Sequence, residues 1–139
     1  MASNRPTGPM LAVKQRIPPA RAGAVRRERL TAHLSSARTR LTVVVAPAGW
    51  GRTSLLAAWA REPGGDQRLA WVSLDESDDE PRRYWRYLLT ALGDVSDEIS
   101  SAPLDALAAG DMAVVDLALP LLLNELARST SDNVLVLDD

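Results

Sequence analysis

Residues 46–54 bring together the side chains best suited to chemistry, namely glycines, one cation and hydroxyl groups within a single short stretch. Gly49 and Gly51 allow a tight turn whose backbone N–H groups point at a common anion. Arg52 and Thr53 follow directly, and an apolar, helix-forming run begins at Leu55. A helix N-terminus carries partial positive charge and attracts phosphate. The stretch is therefore typical of a phosphate-binding loop.

The loop departs from the usual pattern G-x-x-x-x-G-K-[ST], because Ala46 and Arg52 stand where glycine and lysine are expected. Gly51 and Thr53 match. Arginine keeps the positive charge, but its planar fork replaces a compact ammonium. Backbone N–H donors are independent of this side chain, whereas transition-state stabilisation needs the charge placed against the transferring phosphoryl group. The loop thus predicts nucleotide binding with, at most, weak ATPase activity.

A second part of the predicted site lies at the other end of the sequence, where an apolar run at 133–137 ends in two carboxylates. In nucleotide sites Mg²⁺ is held by the loop hydroxyl and by a carboxylate at a strand end. Thr53 and Asp138 are the predicted magnesium ligands. Asp139 is a weaker candidate for a catalytic role, as an acidic neighbour that orients water.

The elements needed to position these residues alternate along the chain. Continuously apolar runs predict parallel strands buried on both faces, and periodic apolar patterns predict helices between them. Strands are predicted at 41–45, 69–74 and 133–139, and helices at 25–34, 53–61, 81–92 and 112–128. Pro63-Gly64-Gly65 ends the second helix, Asp78 or Asp79 caps the third, and Pro120 kinks or restarts the fourth. The fold class predicted is α/β, a P-loop NTPase-like three-layer sandwich with a mostly parallel sheet.

The composition excludes several classes of protein, among them disulfide-bonded, histidine-ligated metal and membrane-spanning ones. The chain has 139 residues, 46% hydrophobic residues and no cysteine, which suits one domain or part of one and excludes disulfides. His33 is the only histidine, so a histidine metal cluster is excluded. The longest uncharged apolar stretch, 117–124, is far shorter than the roughly 20 residues of a membrane span. We expect a cytoplasmic protein with no membrane contact.

The first 40 residues hold nine of the 16 basic side chains and one acidic one, Glu28. Such a block could bind nucleic acid. It lacks interleaved aromatic residues and a recognisable groove-reading helix, so a solvated arm or contacts beside the nucleotide are the preferred interpretations and no direct DNA contact is expected. The predicted organisation is an irregular N-terminal arm at 1–22 and an N-terminal, incomplete part of a P-loop NTPase domain at 23–139.

A succession of motifs over residues 17–139 resembles the N-terminal NTPase domain of MalT-like regulators, large LuxR-type transcriptional activators of the STAND ATPase class. The motifs are Ile17-Pro18-Pro19, residues 25–30 (VRRERL), 41–56 (LTVVVAPAGWGRTSLL), Trp59-Ala60, 71–75 (WVSLD), 81–88 (PRRYWRYL), 124–127 (NELA) and 135–139 (LVLDD).

This resemblance implies a switch between an ADP-bound resting form and an ATP-bound, self-associating form. It implies that residues 25–30 lie near the nucleotide base, with Arg27 as the candidate, and that Thr53 and Asp138 hold magnesium. The implied cofactor-binding residues of the loop are Ala48, Gly49, Trp50, Gly51, Arg52, Thr53 and Ser54. The family's sheet has a further strand between those of 41–45 and 134–137, so the fold is expected to be truncated after the Walker B strand.

Two hypotheses follow from the sequence. In the first, the chain is the ATP- or ADP-binding part of a MalT-like regulator, and the nucleotide is a switch ligand. In the second, it is a degenerate P-loop module that binds no nucleotide and acts through association with itself or with other regulator domains. A small-molecule kinase is disfavoured because no acceptor site or lid is evident.

Overall fold

The computed structural model describes residues 8–37, 39–62, 67–110 and 113–138. The chain divides into two compact units, the sheet unit (Met1–Arg16 and Asp66–Asp139) and the loop unit (Ile17–Gly65). The helices are α1 (Glu28–Ser36), α2 (Arg52–Trp59), α3 (Pro81–Val95), α4 (Ala102–Ala106) and α5 (Leu119–Arg128), and the strands are β1 (Arg68–Ser73) and β2 (Asn133–Asp138).

In the sheet unit, β1 and β2 pair in parallel, with Arg68 opposite Asn133 and Ser73 opposite Asp138. Parallel neighbours require a long crossover, which α3, α4 and α5 supply. Residues 70–72 of β1 are all buried, as expected of a parallel strand covered on both faces. The strands predicted at 69–74 and 133–139 are confirmed with small shifts at their ends, and Asp139 lies outside the described residues.

The core of the sheet unit forms where one face of α3 packs against β1 and the helices that follow. Apolar residues recur along α3 at helical spacing, so they share one face. Their burial removes several large side chains from water, which is the main stabilising contribution in a unit of this size. The buried cluster comprises Ala70, Val72, Tyr87, Leu88, Leu89, Ala91, Leu92, Ile99, Leu107, Val114, Ala118 and Leu122.

The N-cap predicted for α3 is wrong. Glu80, not Asp78 or Asp79, accepts hydrogen bonds from the backbone N–H groups of Arg82 (2.9 Å) and Arg83 (2.8 Å). Asp78 instead belongs to a capping box with Asp75 around the short 3-10 turn Glu76–Asp78. The acidic run therefore contains two successive caps, and the sequence alone did not separate them.

The leucine-rich segment before β2 changes helix type at Pro120. Proline has no N–H to donate, and its ring clashes with the carbonyl four residues earlier in a regular α-helix. The preceding turn widens to a π-helix over Val114–Ala118, in which Leu119 N–H donates to the Val114 carbonyl, and α5 then continues. Sequence analysis predicted a kink or a restart at Pro120, and the structure shows a change of helix type, with α5 beginning at Leu119.

In the loop unit, α1 and α2 pack against each other. The predicted strand at 41–45 is wrong for this structure: these residues form no strand, and Leu41, Val43 and Val45 are 78%, 70% and 85% exposed. A strand exists only when hydrogen-bonded to a neighbour, and both described strands pair with each other in the sheet unit. An apolar run alone was therefore insufficient.

Candidate functional site

The loop predicted to bind phosphate forms a tight turn that leads into α2. Trp50 N–H donates to the Pro47 carbonyl over 3.2 Å, and both Gly49 and Gly51 have φ of 81°. This left-handed conformation is readily available only to glycine, which explains why glycine occupies both positions. Gly51 is the N-cap of α2, and its lack of a side chain leaves the helix without a side-chain cap.

Arg27 lies against this turn. Its Nη2 donates to the Trp50 carbonyl over 3.0 Å, and a Cβ added to Gly51 would meet the same Nη2 at 3.9 Å. Arg27 is also the N-cap residue of α1, and its carbonyl accepts from the N–H groups of Leu30 and Thr31. The resemblance placed Arg27 near a nucleotide, and the structure brings its guanidinium to the loop backbone.

Two further side chains form hydrogen bonds that join α2 to α1 and to the segment before α1. Trp59 Nε1 donates to Ser35 Oγ over 3.0 Å and so joins the end of α2 to α1. The Arg61 guanidinium donates to the carbonyl oxygens of Ala57 (2.8 Å) and Ile17 (3.2 Å), and also to that of Pro18. Sequence analysis named Trp59 only as part of a motif and did not single out Arg61; an arginine just beyond a helix end is the signal that could have identified it.

The remaining predicted loop residues lie as follows. Ala48, Gly49 and Trp50 are exposed, and the Trp50 side chain is the most accessible large apolar group of the turn. Four residues that open α2 or precede it are half-buried: Gly51, Arg52, Thr53 and Ser54. The turn thus presents its backbone and one indole ring to solvent.

Asp138 ends β2 at the carboxyl edge of the sheet, where it is 8% exposed. Its backbone carbonyl accepts from Leu74 N–H over 2.7 Å, which brings the ends of the two strands together. Ligands of open parallel sheets bind beyond this edge. Thr53 belongs to the loop unit and Asp138 to the sheet unit, and Asp139 lies outside the described residues.

The oxygen chemistry of Thr53 and Asp138 suits Mg²⁺, which prefers hydroxyl, carboxylate and phosphate oxygens. Within the described ranges no cluster of three or more histidine, aspartate or glutamate side chains could hold a metal ion without other ligands. In nucleotide sites Mg²⁺ takes further ligands from the bound phosphate, so neither residue needs to be part of such a cluster.

A charged cluster that sequence analysis missed lies in the sheet unit. Lys14 Nζ is 2.7 Å from Asp75 Oδ2 and 2.5 Å from Asp78 Oδ2, and Arg83 Nε is 3.0 Å from Asp78 Oδ1. The Lys14 ammonium also lies 5.5 Å from the centroid of the Tyr87 ring. Lys14 is the only lysine of the sequence, and that singularity is the signal that could have pointed to it.

The ion pairs of this cluster raise the pKa of its lysine and lower the pKa values of its two carboxyl groups. Burial works to lower the pKa of Lys14, but hydrogen bonds and charge from Asp75 and Asp78 outweigh it and raise that pKa. The hydrogen bond from Lys14 is the main cause that lowers the pKa of Asp75. Burial would raise the pKa of Asp78, yet Lys14 and its other donors hold it below its ordinary value. The arm predicted to be solvated is thus anchored at Lys14.

Comparison with known proteins finds relatives among the HTH-type transcriptional regulators of bacteria. The chain is 52% identical over 67 residues to the HTH-type transcriptional regulator MalT of Serratia proteamaculans (strain 568), a match covering 48% of this chain and 7% of that protein. It is 46% identical over 67 residues to MalT of Cronobacter sakazakii (strain ATCC BAA-894), with the same two coverages of 48% and 7%.

These matches establish homology to MalT over about 48% of the chain. The matched region spans about 7% of the length of these relatives. No family model matches the chain, and no solved structure matches it significantly. None of the described helices is long and apolar enough to cross a membrane.

Proposed function

We propose that this chain is the nucleotide-binding part of a MalT-like transcriptional regulator, in which ATP or ADP with Mg²⁺ acts as a switch ligand. The observation that supports this most directly is the turn at 47–51, in which Gly49 and Gly51 both adopt the left-handed conformation and lead into a helix with no side-chain cap. Such a turn aims backbone donors at an anion. Homology to MalT supports the regulatory context.

Each predicted residue has a role in this proposal. Backbone N–H groups of residues 48–49 and 51–54 bind the phosphates, Trp50 flanks them, and Arg52 supplies charge beside them. Arg27, which contacts the Trp50 carbonyl, extends its guanidinium toward the bound nucleotide. Thr53 and Asp138 hold the magnesium ion through a hydroxyl and a carboxylate oxygen. Hydrolysis is at most weak, because arginine does not reproduce the placement of the lysine ammonium.

Thermal unfolding with and without excess Mg-ADP tests the proposal. A ligand at a hundredfold its dissociation constant stabilises the folded state by about 2.7 kcal/mol, which raises the melting temperature by several degrees. The unmodified chain, Arg52→Lys, Thr53→Ala and Asp138→Asn are compared, with Mg²⁺ alone as the control. We expect a rise in the first two proteins and a reduced rise in the last two.

A rise only in Arg52→Lys would show that the natural loop does not bind the nucleotide. No rise in any variant, with all of them folded by circular dichroism, would contradict the proposal. The second candidate, a degenerate module that acts through protein association, is favoured by the exposed apolar segment 41–45, since such segments pair with other chains. It predicts association measured by sedimentation that Mg-ADP leaves unchanged.

A further inference from the structure

The N-terminal segment 10–15, here called the strap, lies on the sheet unit in a site that we call the strap groove, formed by Asp75, Asp78, Tyr87 and Thr90. It contains the short 3-10 helix Ala12–Gln15. The strap groove lies more than 60 residues further along the sequence, as in the pair Lys14 and Asp78, for which the separation is 64. The chain between them includes the whole loop unit.

Directional contacts hold the strap along its length. Leu11 N–H donates to Tyr87 Oη over 2.8 Å, and Gln15 Nε2 donates to the Tyr87 carbonyl over 3.2 Å. Between them, the ammonium of Lys14 is shared by Asp75 and Asp78. At the first residue of the strap, Thr90 Oγ1 lies 3.8 Å from Met10 Sδ.

Little apolar surface holds the strap in place. Leu11 is 49% exposed and Val13 is 70% exposed, so about half or more of each residue stays in contact with water. Met10 packs against the core only in part. Release of the strap therefore costs mainly the polar contacts around Lys14, and polar contacts can be replaced by equivalent ones from another molecule.

The strap groove selects for a cation. Without the strap, Asp78 keeps its ion pair with Arg83, Asp75 loses the ammonium of Lys14, and the face of the Tyr87 ring that Lys14 approaches is open to another cation. Lys14 of another copy meets this requirement as well as the chain's own Lys14, because the hydrogen bonds and ion pairs of the strap go to groove residues and none depends on the covalent connection.

We propose that the strap is exchangeable, so that the strap groove of one molecule binds the strap of a second copy of this chain. Domain swapping of this kind reuses existing contacts and needs no new surface. The chain's own strap and that of a second copy compete for the same groove, so the balance between them depends on protein concentration. No residue of the strap or the groove belongs to the phosphate loop, so the inference stands apart from nucleotide binding.

Two complementary full-length variants test the exchange. Lys14→Met has an intact groove and a strap without its cation. Asp75→Lys has an intact strap and a groove whose new ammonium repels Lys14 while it pairs with Asp78; Asp75 has a side chain that is 55% exposed, so the change is sterically tolerable. We expect each variant alone to be monomeric and their equimolar mixture to form a heterodimer, measured by size-exclusion chromatography with light scattering. Lys14→Met mixed with itself is the matched control.

A mixture that stays monomeric, with both variants folded by circular dichroism, would overturn the proposal. If either variant fails to fold, acylation of the unmodified chain decides, because Lys14 is its only lysine and peptide mapping separates it from the N-terminal amine. Two rates are compared, that of Lys14 acylation and that at which the core amides of α3 open to hydrogen exchange. We expect the first to be at least tenfold higher than the second. Equal rates would show that the strap leaves only when the whole unit unfolds and would overturn the exchange.

Discussion

The two units of this chain are stabilised in different ways. The sheet unit encloses a cluster of fully buried apolar side chains, among them Val72 and Tyr87 at 0% exposure. In the described part of the loop unit, the buried residues are Thr31, Leu55 and Ala57. Buried apolar area is the main source of folding free energy, so most of the chain's stability is expected to come from the sheet unit.

The loop unit depends instead on directional hydrogen bonds from a few side chains. Arg27, Trp59 and Arg61 each donate to a backbone carbonyl or a hydroxyl elsewhere in that unit. Such contacts fix geometry, but each contributes only about 0.5–1.5 kcal/mol net. Regions with few buried apolar contacts open at low cost, and ligand-binding loops are commonly of this kind. A bound nucleotide would therefore have its largest stabilising effect on the loop unit.

The contrast is tested most strongly by one pair of leucines. Leu88 is 5% exposed and Leu41 is 78% exposed, so the same change to alanine removes core packing at one site and surface at the other. We expect Leu88→Ala to cost about 2–5 kcal/mol of unfolding free energy and Leu41→Ala no more than about 0.5 kcal/mol, measured by urea denaturation. A comparable cost for both variants would mean that residues 41–45 are buried in solution, as the sequence had predicted.

The strands of the sheet unit could be predicted because their signal is local. Residues 69–72 and 134–137 are continuously apolar, and each run pairs with the other, so the composition of the segment and its environment agree. The run at 41–45 has the same composition, but no described strand hydrogen-bonds to it. Composition indicates that a segment can form a strand when a second strand pairs with it, but it does not indicate whether that second strand is present.

The candidate site was predictable where backbone geometry dictates residue type. Gly49 and Gly51 were identified because a left-handed turn needs glycine, and both have positive φ. The cluster around Lys14 was not, because it joins Lys14 to Asp75 and Asp78 across more than 60 residues and no local pattern records that pairing. A lysine in a basic arm and aspartates in an acidic turn are residues that sequence analysis normally assigns to the solvent-exposed surface.

Two glycines give a second comparison, with effects of opposite sign. Gly49 has φ of 81° in the loop unit, whereas Gly93 lies in α3 of the sheet unit, and an added Cβ meets nothing within 4 Å at either position. Gly49→Ala should destabilise by about 1 kcal/mol because alanine resists the left-handed region. Gly93→Ala should stabilise by about 0.5 kcal/mol because it reduces the entropy of the unfolded chain. Chemical denaturation measures both, and a stabilising Gly49→Ala would contradict the turn geometry.

The smallest expected effect concerns pH and is confined to the sheet unit. The Glu98 carboxylate accepts from Ser129 Oγ, from Thr130 N–H (3.1 Å) and Oγ1 (2.8 Å), and from Ser131 N–H (3.3 Å), and so holds the turn before β2. These bonds, that from Ser129 first, lower the pKa of Glu98 to about 2. The unfolded value is about 4.3, so the native state binds fewer protons in this range, and the stabilisation is complete above pH 5 and lost as the pH falls toward 2.

Glu98→Gln removes this titration while it keeps the shape of the side chain. We expect the variant to melt below the unmodified chain at pH 7 and the difference between them to shrink steadily between about pH 5 and pH 2, as followed by thermal unfolding at fixed ionic strength. Ser129→Ala is the matched control, because loss of the strongest donor should reduce the pH dependence without abolishing it. A difference that stayed constant across this range would show that the carboxylate charge contributes nothing to the turn and that Glu98 acts only through its shape.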